Sequence, residues 1–191
     1  LEAGGLGFSS SLAPTHNDAD GNGVPSRAAS HDEIVALSRV AGEHAGTTLE
    51  FIPGIGRFSD EQIDLMVEMS RAANRPLNWN LLSATSMSPD AHIHQLTASD
   101  RAAERGARVV ALTLPMVMTL RVNFVSGFIL DAIPGWAEVI GLPIEERKQA
   151  LADPAVRTRL AEGAASDHPL RALTSWQHMR IAETFSSTNK G

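Results

Sequence analysis

Apolar positions along the first part of the chain change period several times, and each change marks an element. After Gly4-Gly5, residues 6–10 form a short run that predicts a strand. Residues 12–29, rich in Asn, Asp, Gly and Pro, predict a long loop. Ser30-His31-Asp32-Glu33 has the form of a capping box, with Ser30 as N-cap and Glu33 reaching back. Ile34, Leu37, Val40 and Ala41 then recur at helical spacing until Gly46. Residues 47–52 are β-branched and apolar enough for a buried strand, which Pro53-Gly54 stops.

The same unit repeats. Ser59-Asp60-Glu61-Gln62 reads as a second capping box, and Ile63, Met66, Val67 and Ser70 mark one face of the helix it opens. Residues 76–81 predict a third strand. Ser88-Pro89-Asp90 starts another helix, with Pro at its favoured first position, that Gly106 ends. Residues 109–114 predict a fourth strand. Strands of about six residues alternating with helices of about fifteen point to right-handed βαβ units and a parallel sheet. The fold class is therefore α/β, a partial (β/α)8 barrel of about four parallel units with a helical insertion; a small open sheet is the other arrangement four units allow. At 191 residues the chain is shorter than a complete barrel, which takes about 250.

After Pro115 the rhythm breaks. Residues 121–133 are apolar with Phe124, Phe128, Ile129 and Leu130 at helical spacing, which predicts a long helix. Pro134-Gly135-Trp136 predicts a turn, Pro143-Ile144 opens a short helix, and Asp153-Pro154 caps another reaching about Glu162. Residues 177–185 predict a further strand. The organisation is a partial barrel over 1–115, a helical insertion acting as a lid over 116–166, and a returning barrel segment or tail over 167–191. The opening Leu1-Glu2-Ala3-Gly4-Gly5 and the closing Ser186-Ser187-Thr188-Asn189-Lys190-Gly191 read as boundaries inside a longer protein; a complete small α/β domain is the competing reading. Half a barrel exposes two sheet edges and an apolar inner face, so a homo-oligomer that covers the edges is expected.

Composition narrows the function classes. A formal charge of −6 with no cluster of Lys and Arg argues against nucleic-acid and anionic-membrane binding. The longest apolar run, residues 109–120, is too short to span a bilayer. Absence of cysteine removes disulfides and thiolate chemistry and suits a cytoplasmic setting.

Several motifs carry candidate chemistry. Asp18-Ala19-Asp20-Gly21-Asn22-Gly23 opens like a calcium loop, but Ala29 stands where the bidentate Glu belongs and Pro25 intrudes, so a turn-rich loop is the better reading. In a parallel α/β fold that loop leaves the carboxyl end of a strand, which makes His16, Asp18 and Asp20 rim candidates. His92-Ile93-His94 would chelate a metal on a strand; on the helix that Ser88-Pro89-Asp90 predicts, positions two apart point about 200° from each other and cannot share one ion. Glu50, Asn78 and Asn80 lie inside or at the ends of predicted strands. A buried carboxylate needs a partner, so Glu50 is either paired structurally, with Arg57 or another barrel side chain, or orients a substrate. Trp79 suits a core or a pocket wall. No G-x-S-x-G elbow, Walker A loop or G-x-G-x-x-G is present.

Gly4-Gly5-Leu6-Gly7-Phe8-Ser9-Ser10-Ser11 resembles the glycine-led strand of the N-acyl-D-amino-acid deacylases of the amidohydrolase superfamily. Asn17-Asp18-Ala19-Asp20, Val24-Pro25-Ser26-Arg27-Ala28, Leu49-Glu50-Phe51-Ile52-Pro53-Gly54, Pro76-Leu77-Asn78-Trp79-Asn80 and Asp131-Ala132-Ile133-Pro134-Gly135-Trp136 are similar to the branch called amidohydrolase family 3. The resemblance covers most of the chain and rests on strand and loop phrases. It implies a (β/α)8 barrel in which a zinc-activated water attacks an amide carbonyl, with the first-strand His-x-His and last-strand Asp outside these residues. It also implies a metal-binding His on each of two strands matching 47–53 and 76–82, where this chain has none; Glu50 and Asn80 stand near those places.

The expectation is thus a fragment of an amidohydrolase-like hydrolase acting on linear amide C–N bonds, N-acylated D-amino acids among them, and inactive as this chain alone. Glu50 is the candidate catalytic residue; Asn78, Asn80, His16, Asp18, Asp20 and Arg27 are the candidate substrate-binding residues. The chain itself holds no cofactor, zinc belonging to the longer parent, and its partner is a small-molecule amide. The alternative is a non-catalytic binding or scaffold protein on a barrel that has lost its metal site.

Overall fold

The structure, a computed structural model, describes residues 1–18, 20–85, 89–168 and 170–183. They fall into two compact units, Leu1–Ile129 and Leu130–Gly191.

The first unit is built on a four-stranded, all-parallel sheet: β1 (Gly7–Ser11), β2 (Thr48–Ile52), β3 (Leu77–Trp79) and β4 (Val109–Ala111), paired in chain order. α1 (His31–Gly42), α2 (Asp60–Ala73) and α3 (Ala91–Glu104) connect them. Both serine caps form as their spacing predicts. The Ser30 hydroxyl accepts from the Glu33 N–H, and Ser59 and Gln62 make the full reciprocal box. α3 begins beyond Asp90, whose side chain does not cap it; Ser88 lies outside the described residues. β3 and β4 are shorter than the runs at 76–81 and 109–114, because a ladder ends where its neighbour leaves it.

Alternation decides what each strand buries. The register aligns Phe8, Leu49, Leu77 and Val109 in one row and Phe51, Trp79 and Ala111 in the next. These side chains pack with Ile34 and Ala41 of α1, Ile63, Met66 and Val67 of α2, and Ala98 and Ala102 of α3 in one continuous core. Trp79 is wholly buried, its ring meeting Phe58 edge-on at 4.9 Å, so it belongs to the core. Gly42 lets α1 approach α2 closely, since a Cβ there would strike the Ala73 carbonyl. Across α2 and α3, Arg101 pairs with Asp60 at 2.5 Å and Asp64 at 3.2 Å, and Arg105 reaches Asp64 at 2.5 Å.

The opposite face corrects one expectation. Instead of a wholly apolar surface it is mixed, with Ser9, Glu50, Asn78 and Val110 in register and Thr48, Ser11 and Ile52 beside them. The two edges are open, because β1 and β4 each pair with a single neighbour.

Residues 121–133 do not form the expected helix. The Asn123 side chain accepts from the N–H groups of Val125 and Ser126, and Gly127 and Ile129 take positive φ of 73° and 71°. This local bonding competes successfully with a helix over these residues. Leu114, Met116, Val117, Met118 and Phe124 lie exposed.

In the second unit the caps again act as expected. α4 (Ala137–Ile140) follows the turn at Pro134-Gly135-Trp136, α5 (Ile144–Ala152) follows Pro143, and Asp153 caps α6 (Pro154–Ala165) through the Ala155 N–H. Leu130, Ile133, Trp136, Val139, Ile140, Leu160 and Ala164 form its core, and the Trp136 indole donates to the Leu160 carbonyl at 2.8 Å. The strand expected over 177–185 is not formed in the described part: Trp176–His178 is a 3-10 turn and 179–183 has no regular structure. Residues 184 and 185 lie outside the described residues.

Candidate functional site

The central residue is Glu50, third in β2 and half-buried on the face that α1, α2 and α3 do not cover. β-strand alternation puts it there: Leu49 and Phe51 on either side point into the core, so the residue between them must point away. Ser9 of β1 and Asn78 of β3 are its register partners, and Asn80 lies two residues beyond Asn78, immediately after the strand. The row of Ser9, Glu50 and Asn78 lies at mid-strand, and Asn80 stands at the carboxyl end of β3, the side on which open α/β sheets place their ligands.

Glu50 has partners on both carboxylate oxygens, and both donors are neutral. Asn80 Nδ2 donates to Oε1, and the Ser9 hydroxyl to Oε2 at 3.4 Å. Arg57, the cation that the sequence suggests as partner, is exposed and makes no ion pair with it. Asn78 spends its amide on its own neighbourhood, donating to Thr48 Oγ1 and to the Leu49 carbonyl, each at 3.3 Å. Its Oδ1, like that of Asn80, is left as an acceptor. Ser9 in this row, and Thr48 two residues before Glu50 on the same face, are the members of the site that sequence reasoning missed. A Ser-Ser-Ser run on a strand was visible, but which serine faces Glu50 depends on register.

His16, Asp18 and Arg27 sit together on the loop leaving the carboxyl end of β1, where Leu12 N–H still bonds the Ile52 carbonyl. Their hydrogen bonds tighten that loop. Asp18 Oδ1 accepts from the N–H groups of Asp20 and Asn22 at 3.0 and 2.8 Å, closing an Asx-type turn. Arg27 Nη1 bonds Asn17 Oδ1 and lies 3.5 Å from the His16 carbonyl, while Val24 N–H bonds that same carbonyl. The Asp20 carboxylate is exposed. Glu50, Asn80 and Ser9 are therefore one hydrogen-bonded group, Asn78 lies beside it bonded to Thr48 and the Leu49 carbonyl, and the loop residues form a separate group.

His92 and His94 lie in the first turns of α3, each with a buried Nδ1 that has no hydrogen-bond partner. Among the described residues no three His, Cys, Asp or Glu side chains cluster as metal ligands would. The chemistry of the row agrees with that. Glu50 could supply one zinc ligand, but amide and hydroxyl neighbours are poor ones, so the groups of this face do not fit zinc by themselves.

Among the described residues, no helix is long and apolar enough to cross a membrane. Comparison of the chain with models of known families, with curated proteins and with solved structures found no match.

Proposed function

We propose that this chain carries the substrate-facing strands of an amidohydrolase-like (β/α) barrel hydrolase acting on linear amide C–N bonds. One observation carries the reading: a carboxylate and two carboxamides, Glu50, Asn78 and Asn80, stand side by side on the sheet face that α1, α2 and α3 leave uncovered. In this reading Glu50 faces the substrate and holds or accepts a proton, which a carboxylate oriented by Asn80 and Ser9 is suited to do. Asn78 and Asn80 orient the amide. His16, Asp18, Asp20 and Arg27 stand at the rim on the loop after β1. N-acylated D-amino acids are the substrates that the resemblance of the strand phrases suggests.

The open edges of β1 and β4, with exposed Leu114, Met116 and Met118 after β4, support self-association of the isolated chain. Lack of cysteine supports a cytoplasmic setting.

The test is hydrolysis of N-acetyl-D-amino acids by the 191-residue chain and by the product of its complete reading frame, with zinc content measured on both. The reading expects turnover by the longer protein alone. Robust zinc-dependent turnover by the 191 residues would contradict it, because no ligand cluster for zinc forms among the described residues. A complete protein without turnover leads to the second reading, a binding protein. Its support is that Glu50 is held by neutral donors and keeps its charge for a ligand.

A further inference from the structure

We infer that the row on the face that α1, α2 and α3 leave uncovered is a recognition site for a primary ammonium group, carried by the amine that amide hydrolysis releases or by an amine-bearing ligand. The inference rests on the reading that Glu50 faces a ligand, but not on hydrolysis.

Acceptors dominate this face. Glu50 is half-buried and no cation pairs with it among the described residues; Ser9 and Asn80 are its hydrogen-bond donors. The Asn78 amide is spent on Thr48 and the Leu49 carbonyl, so the side chain turns toward a ligand with its oxygen. Asn80 spends a hydrogen on Glu50 and likewise keeps its oxygen. The result is a negative charge on β2 beside two amide oxygens on the β3 side, the two strands lying about 4.8 Å apart. A ligand that docks on such groups must bring donors and positive charge.

The kind of cation follows from the geometry. A guanidinium docks best as a fork onto both oxygens of one carboxylate, and both Glu50 oxygens are already engaged from the sides. A divalent ion asks for several charged oxygens, and the row offers one carboxylate. An ammonium has three donors on a compact head, matching the three acceptor groups Glu50, Asn78 and Asn80. The net charge of −6 adds a favourable long-range field for a cation.

The experiment is an NMR titration of the 191-residue chain with n-butylammonium chloride, following the side-chain amides of Asn78 and Asn80. Neutral n-butanol and anionic butyrate serve as controls. Saturable shifts of both amides with the ammonium alone are expected. Glu50→Gln should weaken binding about tenfold, the loss of one charge-assisted hydrogen bond. Asn78→Asp, which adds a second carboxylate, should tighten it. Amide dispersion of each variant shows whether it is folded, and the Asn78→Asp gain cannot come from unfolding. Equal shifts with butanol, or unchanged affinity in Glu50→Gln, would overturn the inference. Ammonium binding without amide hydrolysis by the complete protein would leave the inference standing and reject the hydrolase reading.

Discussion

On the helix-covered face of the sheet, Leu49, Phe51, Leu77 and Trp79 have no solvent exposure, whereas Glu50 and Asn78, their immediate neighbours in the same strands, are half-buried and hydrogen-bonded. The first set is held by packing with three helices; the second is held by polar contacts among strands. A strand residue's neighbours in sequence therefore say little about its environment, and its neighbours two positions away say most. The difference also separates stability from chemistry: the core face should govern folding and the polar face ligand binding.

The largest expected effect falls on the core. Phe51→Ala removes a wholly buried ring and should cost about 3–5 kcal/mol in urea unfolding, while Glu50→Ala, one residue away, should change stability by less than about 1 kcal/mol. Similar costs for the two would erase the contrast between the faces. Next is the α1–α2 crossing. Gly42→Ala places a Cβ against the Ala73 carbonyl and should destabilise by about 1–3 kcal/mol, a loss read by the same unfolding curves. Ser59→Ala breaks the reciprocal cap of α2 and should cost about 1 kcal/mol, with Ser59→Asp restoring most of it.

The smallest effect is a pH dependence. The Glu61 carboxyl is held below the usual carboxylate range, chiefly by its own backbone N–H and then by the Ser59 hydroxyl. Because its folded value is depressed, its contribution is present above the unfolded carboxylate pKa and is lost as pH falls through the folded value. Glu61→Gln should flatten that part of the acid limb of stability against pH and leave stability near neutrality lower by a small amount. An unchanged acid limb would mean that the carboxylate gains nothing at the helix start.

Much of the fold was legible because its signals are local. Ser30, Ser59 and Asp153 announce helix starts through a short reach to a nearby N–H, and residues 47–52 announce a strand by composition. What failed depends on contacts that periodicity cannot see. Phe124, Phe128 and Leu130 keep helical spacing, yet Asn123 bonds the local backbone instead and Gly127 turns it. For the candidate site, Glu50, Asn78 and Asn80 could be named as polar residues in strands that should be buried. Their grouping, the part taken by Ser9 and the choice of Asn80 over Arg57 as partner all follow from register, which no single strand encodes. The same limit explains the expected apolar inner face: without register, the alternate residues could not be sorted into rows.

The most direct test of the polar face as the working face of the proposed amide hydrolase is the effect of Glu50→Gln on kcat/KM of the complete protein, measured where thermal unfolding shows the variant as stable as the parent. Loss of a proton-accepting carboxylate should lower kcat/KM by about 100-fold or more. An unchanged kcat/KM would contradict the account and leave Glu50 a structural carboxylate on an open sheet.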